Sequence, residues 1–320
     1  ASQAMLARAE EKGIETTWDR WEKMQPQCNF GKLGICCRIC SMGPCRLNPF
    51  SDEEECGVCG ASADTIAARN LVRMIAAGTS AHSDHGRDVS HTLYMAASGD
   101  VADYAVKDEV KLKALASEYN IPTEGKTVLQ LAKDVAETAF AEFGNQHGEL
   151  RFLARAPKAR QEIWRKQKVT PRGVDREVVE LMHITHMGVD NDYKSIIRHG
   201  IKAALADGWG GSMIATDVSD ILFGSPRPIR SSINLGVLDR DKVNVVVHGH
   251  EPNLSEMLVA AARDKEMLAL AREKGAKGIN LAGICCTANE ILMRHGIPVA
   301  GNFLQQELAI TTGAVDAMIV

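Results

Sequence analysis

Seven of the nine cysteines of this chain fall between Cys28 and Cys59, and the other two are the adjacent pair Cys285 and Cys286. Thiolates are soft ligands that bind zinc or iron–sulfur clusters, whereas disulfides typically stabilise small secreted domains. A chain of 320 residues with 45% hydrophobic composition can bury an ordinary core and does not need disulfides. The clustering of the cysteines therefore predicts a metal centre.

A zinc site is the simplest form that this centre could take. Cys37 and Cys40 form one C-x-x-C and Cys56 and Cys59 form another, with fifteen residues between the two pairs. That spacing is within the range of a four-cysteine zinc site. The assignment leaves the other three cysteines of the segment without a role, and adjacent thiols are hard to fit around one tetrahedral ion. Structural zinc stays open as an alternative.

An iron–sulfur cluster accounts for more of these cysteines. A 4Fe–4S cluster takes four thiolates. A compact C-x2-C-x4-C loop, closed by one later cysteine, supplies them, and Gly43-Pro44 would provide a tight turn before the third. The predicted ligands are Cys37, Cys40, Cys45 and Cys59.

Cys28 and Cys36 then remain as half of a ligand set. In a symmetric dimer, two cysteines from each subunit at the two-fold axis would complete a second 4Fe–4S cluster between the chains. We therefore predict a homodimer with a shared cluster. Cys56 is predicted not to be a ligand.

Composition excludes several other classes of function. The net charge is −4 and aromatic residues make up 5% of the chain, so neither a basic stripe nor a set of stacking platforms indicates nucleic-acid binding. No segment approaches the roughly 20 continuous apolar residues of a membrane span. The amino-terminal residues show no apolar signal-peptide segment, and we expect a cytoplasmic protein in a reducing compartment.

The first two thirds of the chain predict helices. Apolar residues recur every three or four positions in residues 61–97, with an interruption predicted near Gly78 to Gly86. Further helical spacing covers residues 110–118, 127–143, 160–167, 176–183 and 194–206. We therefore predict a mainly helical domain over residues 1–235 that carries the iron–sulfur loop, residues 28–59.

The last third of the chain alternates between strands and helices, so the fold class is α/β overall. Apolar runs at residues 242–247, 278–284, 297–300 and 317–320 predict strands, and one long helix is expected at 254–274. This alternation is typical of a Rossmann-like, doubly wound parallel sheet. We predict a partial sheet domain over residues 236–320. Because an edge strand ends the sequence, we expect this to be the amino-terminal portion of a longer polypeptide.

Several motifs together indicate a known family. They are C-x7-CC-x2-C-x4-C followed by GVCG, then AHSDHGRDVSH, THMGVDND, VHGHEP and GICCTANEIL. With these motifs the chain resembles the nickel-containing anaerobic carbon monoxide dehydrogenases, including the subunit of the bifunctional carbon monoxide dehydrogenase/acetyl-CoA synthase of acetogenic bacteria. The resemblance spans residues 28–320. It implies the same two 4Fe–4S clusters, one internal and one shared across the dimer, with the cysteine ligands given above.

The resemblance also implies that His250 and Cys286 are metal ligands of a nickel–iron–sulfur active cluster. Each lies just past the end of a predicted strand, and doubly wound sheets place their ligands at the carboxyl ends of the strands. His248 is interpreted as structural and Cys285 is not assigned. The remaining cysteine ligands and a catalytic lysine are expected beyond Val320.

Three histidines could move protons to and from that cluster, again as the resemblance implies. They are His82, His85 and His91, with Asp88 at the intervening step. Because a step of three residues turns an α-helix by about 300°, His82 and His91 would lie on nearly opposite faces, unless the segment is 3₁₀ or irregular. His183 and His186, in MHITHMG, are interpreted as structural.

The resulting hypothesis is reversible oxidation of CO with water to CO2, two protons and two electrons. The electrons would pass through the two 4Fe–4S clusters to a ferredoxin-like acceptor, and an acetyl-CoA synthase subunit is an expected partner. Three other functions stay open. One is a hybrid-cluster, hydroxylamine reductase-like enzyme, and another is an electron-transfer module without catalysis of its own. The third is a zinc-ribbon interaction protein.

Overall fold

A computed structural model describes residues 1–320. They form two compact units, one of Pro26–Leu222 and one that joins Ala1–Gln25 to Phe223–Val320. The first unit is mainly helical and the second contains a parallel sheet, which confirms the α/β class. The functional domain limits predicted from the sequence, 1–235 and 236–320, stay a prediction.

The helices and strands are numbered in chain order. The helices are α1 (Ser2–Lys12), α2 (Thr17–Lys23), α3 (Asn29–Lys32), α4 (Ala63–Ser98), α5 (Glu109–Glu118), α6 (Val128–Gly144), α7 (Lys158–Lys166), α8 (Val174–Ile184), α9 (Tyr193–Ala206), α10 (Ser212–Phe223), α11 (Pro252–Arg263), α12 (Lys265–Glu273), α13 (Cys285–His295) and α14 (Gln306–Thr311). The strands are β1 (Cys36–Cys37), β2 (Cys45–Arg46), β3 (Val243–Gly249), β4 (Ile279–Ile284), β5 (Val299–Gly301) and β6 (Ala317–Ile319). None of these helices is long and apolar enough to cross a membrane.

Helix α4 is the central element of the unit Pro26–Leu222. The Ser62 side chain caps its first turn by accepting a hydrogen bond from the backbone N–H of Thr65, and Gly99 ends it in the left-handed conformation. Its buried face packs against α6, α8 and α9. A single 36-residue helix therefore connects the cysteine segment to the histidines.

The interruption predicted in this helix near Gly78 to Gly86 was wrong. A Cβ at position 86 would lie 2.9 Å from the carbonyl oxygen of Gly211 and 3.0 Å from the Phe143 ring. Gly86 therefore permits close packing and does not break the helix, whose hydrogen bonds continue through it.

The cysteine segment folds as a loop with a minimal antiparallel ladder. Strands β1 and β2 pair in a register that places Cys37 opposite Cys45. The Asn70 side chain, on α4, donates to the carbonyl oxygens of Gly34 and Cys36 at 2.9 and 3.0 Å. The loop is thus attached to the helix that follows it.

The other unit is built around four parallel strands in the order β5-β4-β3-β6. The chain adds strands on one side of β3 and then returns to its other side, which is the order of the first half of a doubly wound sheet. Val246 of β3 faces one core cluster and Val247 faces another. The predicted partial Rossmann-like sheet is confirmed, and all four strands lie where the apolar runs indicated.

One helix of this unit differs from the prediction. Residues 254–274 were expected to form one helix, but they belong to two, α11 and α12, which meet at Asp264. The Asp264 carboxylate caps α12 by accepting from the backbone N–H groups of Glu266 and Met267. A side chain that competes for backbone N–H groups favours a helix start over a helix interior, which explains the break.

Candidate metal centres

The four cysteines predicted as cluster ligands line one cavity. Cys37, Cys40, Cys45 and Cys59 share it with apolar side chains that include Ile39, Val58, Ile66 and Met187. Cys56 is exposed and does not line it. The zinc alternative needs Cys56 and has no use for Cys45, so the arrangement favours the four-cysteine cluster set. The ligand assignment itself stays a prediction.

The donor set of this cavity fits an iron–sulfur cluster. Thiolates are the ligands such clusters take, and an apolar lining with few polar partners matches their usual surroundings. Arg69 also lines this cavity, and its Nε is buried without a hydrogen-bond partner, so a bound anionic group would compensate its charge. Among residues 1–320, no three cysteine, histidine or acidic side chains meet at the distance of a single metal ion.

Arg69 is the residue of this site that sequence analysis missed. Its Nη1 lies 3.6 Å from the Cys59 sulfur, and its Nη2 donates to the carbonyl oxygen of Asp190. Burial raises the pKa of the Cys59 thiol, but the hydrogen bond from Arg69 and those from the backbone N–H groups of Ala61 and Gly188 outweigh burial and bring this pKa below its ordinary value. These contacts stabilise the thiolate form of Cys59 relative to that of an ordinary cysteine.

The two leftover cysteines lie outside the cavity. Cys28 is exposed and Cys36 is half-buried. Hydrogen bonds from the backbone N–H groups of Gly31 and Phe30 lower the pKa of the Cys28 thiol. An exposed thiol with a lowered pKa is suited to bind metal at a surface shared with another chain. The shared-cluster assignment of both residues stays a prediction.

The second candidate centre lies where β3 and β4 end. Beyond the regular ladder, Gly249 and Cys285 form one further parallel bridge. His250 and Cys286 each follow that bridge by one residue, so both lie at the same edge of the sheet. His250 follows the end of β3, whereas Cys286 belongs to the first turn of α13. His250 is half-buried and Cys286 is exposed, and their roles as ligands stay predictions.

A histidine and a cysteine that the sequence left unassigned also meet at this edge. The Nε2 of His248 lies 3.2 Å from the sulfur of Cys285. Burial lowers the pKa of His248, and burial together with the neighbouring Cys286 raises the pKa of the Cys285 thiol. Cys285 has a φ of 69°, which non-glycine residues rarely adopt. This backbone conformation is where the chain turns from β4 into α13.

The three histidines of α4 do not form a line along the helix. The segment is regular α-helix, so His82 and His91 lie on nearly opposite faces. Only His91 of the three is exposed. The Nδ1–H of His82 donates to the Asp207 carboxylate at 2.7 Å, and this contact raises the pKa of His82 against the effect of burial.

Asp207 was not foreseen from the sequence. It begins a short π-helical turn, Asp207–Gly211, between α9 and α10, and its carboxylate also accepts from Ser212 at 3.3 Å. Such turns often mark functional sites.

His183 is exposed near the end of α8, and the backbone N–H of His186 donates to its carbonyl oxygen at 2.9 Å.

Known proteins share both the sequence and this fold. Residues 35–320 match the model of the Prismane/CO dehydrogenase family. Carbon monoxide dehydrogenase 1 of Methanosarcina mazei is 61% identical over 320 residues, which is 100% of this chain and 51% of that protein. The carbon monoxide dehydrogenase/acetyl-CoA synthase subunit beta of Moorella thermoacetica is 48% identical and matches 99% of this chain and 47% of its own length.

A solved structure agrees with these relatives. The crystal structure of the Ni-free carbon monoxide dehydrogenase from Thermococcus sp. AM4 superposes with a TM-score of 0.93 at 55% identity, over 99% of this chain and 50% of that one. The chain spans about half the length of the curated relatives it matches. By the family match and by these identities, the chain belongs to the Prismane/CO dehydrogenase family.

Proposed function

We propose that the protein to which this chain belongs catalyses the reversible oxidation of CO with water to CO2, two protons and two electrons. The observation that carries the proposal is the placement of His250 and Cys286 at the ends of neighbouring parallel strands, in a chain of this family. Relatives that match nearly all of this chain are named carbon monoxide dehydrogenases.

In this proposal His250 and Cys286 are two ligands of a nickel–iron–sulfur cluster whose other ligands belong to the rest of the protein. Such a cluster, when bound, supplies a metal that takes up CO and a Lewis-acidic iron that lowers the pKa of bound water. The His250 imidazole suits iron, and the Cys286 thiolate suits a soft metal–sulfide core. His250 follows the end of β3 and Cys286 lies in the first turn of α13, so regular elements hold both donors.

Electrons would leave through the cysteine segment. The cluster held by Cys37, Cys40, Cys45 and Cys59 would be the internal relay, and Cys28 and Cys36 would hold a second 4Fe–4S cluster with the same two residues of a partner subunit. The exposure of Cys28 supports this because a shared cluster needs thiols at the surface.

Protons would be handled by histidines of α4. Asp207 at Nδ1 orients the His82 ring and favours its protonated form. His82 is therefore the proposed proton carrier, and the proposed route extends to His85 and His91. Because His91 lies on the far face of the helix, it would take part only at the exposed end of that route.

We further propose a homodimer that passes electrons to a ferredoxin-like acceptor. An acetyl-CoA synthase subunit is a proposed partner because one relative is named as a subunit of such a complex. All nine cysteines are free thiols, which suits the reducing conditions of the cytoplasm, the proposed compartment.

The test uses the full-length protein, purified without oxygen. Its nickel and iron are measured, and CO-dependent reduction of a viologen dye is followed. The proposal predicts nickel, iron and dye reduction that depends on CO. Iron without nickel, together with hydroxylamine reduction and no response to CO, would instead establish the hybrid-cluster alternative. A brown protein that exchanges electrons but lacks both activities would be a transfer module.

A further inference from the structure

Arg69 places a permanent positive charge in the interior of the helical unit. Its side chain is only 1% exposed and it lines the cavity of the four cysteines. A guanidinium does not lose its proton in proteins, so it cannot avoid the cost of burial by becoming neutral. Buried charges are normally paired with an opposite charge, because an isolated one is very unfavourable.

No carboxylate provides that opposite charge. Nη2 donates to the carbonyl oxygen of Asp190 at 2.7 Å and to the Oδ1 of Asn191 at 2.9 Å, and both acceptors are neutral. Nη1 faces the Cys59 sulfur at 3.6 Å, and Nε is buried without a partner. By contrast, Arg172 of the same unit is paired with Glu177. Of the three acceptors around Arg69, only the Cys59 sulfur belongs to a residue that lines the cysteine cavity.

We propose that Arg69 is the fixed counter-charge of the iron–sulfur cluster held in this cavity and that it raises the reduction potential of that cluster. The inference rests on the proposed relay function. When the cluster accepts one electron from CO oxidation it gains one negative charge and no bond is made or broken. A buried cation beside a ligand sulfur stabilises that added charge, since cluster potentials respond to net charge and to hydrogen bonds at sulfur.

Asn191 holds Arg69 in place for this role. Its Oδ1 accepts from Arg69, while its Nδ2 donates to the carbonyl oxygen of Cys59 at 3.3 Å. The carbonyl oxygen of Asn191 itself accepts from the Thr65 hydroxyl at 2.7 Å. Asp190 and Asn191, near the end of the motif THMGVDND, therefore orient the guanidinium towards Cys59, a role that the sequence did not reveal.

The test compares Arg69→Gln with Arg73→Gln in the full-length protein. Arg73 lies one turn further along α4, bonds to Thr185 at 2.9 Å and does not line the cavity, so it controls for the loss of one cation from this helix. The midpoint potential of the relay cluster is measured by dithionite titration with EPR detection. We expect a more negative midpoint in Arg69→Gln and the wild-type midpoint in Arg73→Gln, with equal iron contents. Equal midpoints in all three proteins would overturn the proposal.

Arg69→Lys decides the matter if Arg69→Gln assembles no cluster. It keeps the charge and loses the planar fork, so the proposal expects a retained cluster with a midpoint near that of the wild type. Loss of the cluster in Arg69→Lys would assign Arg69 a structural role instead. Failure of the relay itself looks different: the wild-type protein would then show no reduced-state cluster signal that depends on Cys37, Cys40, Cys45 and Cys59.

Discussion

The cysteine cavity carries its candidate ligands on a loop with a two-residue ladder, whereas His250 and Cys286 lie at the edge of a regular sheet, where β3 and β4 end. In the cavity, four thiols are held by local turns, by a two-residue ladder and by side chains of α4 and of the segment before α9. At the strand ends, the parallel register of β3 and β4 places His250 and Cys286 at the same edge of the sheet. The first region therefore depends on individual side-chain contacts and the second depends on the topology of the sheet.

Because of this difference, different substitutions should disrupt the two regions. Removing one thiol from the cavity removes a quarter of a ligand set that this chain supplies by itself. At the strand ends, damage is expected either from loss of a donor or from any change that shifts α13 against β4, because Cys286 belongs to the first turn of that helix.

The largest expected effect is the loss of the internal cluster in Cys45→Ser. A 4Fe–4S cluster needs four thiolates, so the variant of the full-length protein should lose about four iron atoms per chain. Cys56→Ser is the matched control, because Cys56 is exposed and outside the cavity. Iron analysis makes the comparison. Metal loss in Cys56→Ser but not in Cys45→Ser would contradict this ligand set and favour the zinc-type pairing.

The next effect concerns the strand ends. His250→Ala should reduce CO-dependent dye reduction by more than about 100-fold, which exceeds the usual effect of losing an outer partner of a metal ligand. The reduced-state EPR signal of the cysteine-cavity cluster should be unchanged. His183→Ala provides the same substitution at an exposed histidine of α8. Full activity in His250→Ala would contradict its assignment as a ligand.

Adding one methyl group should destabilise the protein more in the sheet than in the cysteine loop. A Cβ at Gly283, in β4, would lie 2.6 Å from the Cβ and 2.7 Å from the Cα of Ala288, so Gly283→Ala must move α13. We expect the free energy of unfolding to fall by about 1–3 kcal/mol. A Cβ at Gly57, in the cysteine loop, would lie 3.4 Å from its nearest neighbour, the Cβ of Cys45. Gly57→Ala should therefore change the free energy of unfolding by less than about 1 kcal/mol. Denaturant titration measures the free energy of unfolding of both variants. Equal decreases in Gly283→Ala and Gly57→Ala would contradict the expected difference between the sheet and the cysteine loop.

The smallest effect concerns His82, which lies on the same helix as Arg69 but is paired with a carboxylate. Because Asp207 raises the pKa of His82, the pair stabilises the fold below the ordinary pKa of 6.5, and this stability is lost as the pH rises through the raised pKa. The His82 side chain is 41% exposed, so solvent screening limits the contribution to less than about 1 kcal/mol.

Asp207→Asn should therefore lower the free energy of unfolding more at about pH 6 than at about pH 9. Thermal unfolding at both pH values measures this difference. A deficit that grows with pH would contradict the pairing. In Asp217→Asn, which alters a carboxylate that binds Lys111, no trend of this kind centred on the histidine pKa is expected.

The sequence predicted the sheet well because each strand is a short apolar run bounded by helices. Its β-branched run at residues 242–247 is unlike any helical spacing, and β3 lies there. The predicted interruption of α4 failed because Gly86 is needed for contact with Gly211 and Phe143, which are distant in sequence. Local patterns identify elements but do not identify which residues a glycine must accommodate.

The candidate ligands were readable from the sequence, whereas their supporting residues were not. Cysteine spacing is local, so it could indicate which four thiols share a cavity. Arg69 and Asp190 are 121 residues apart, and His82 and Asp207 are 125 residues apart. Nothing in the spacing of a lone arginine or aspartate predicts such a contact, and only the packing of α4 against α9 and its neighbours reveals it.

The most direct test of the division between the two regions is Cys286→Ser in the full-length protein, studied by EPR of the reduced cysteine-cavity cluster and by CO-dependent dye reduction on the same sample. If Cys286 binds only the active cluster, we expect an unchanged EPR signal from the cysteine-cavity cluster together with loss of CO-dependent dye reduction. Retained CO oxidation, or loss of the cavity signal along with the activity, would contradict it.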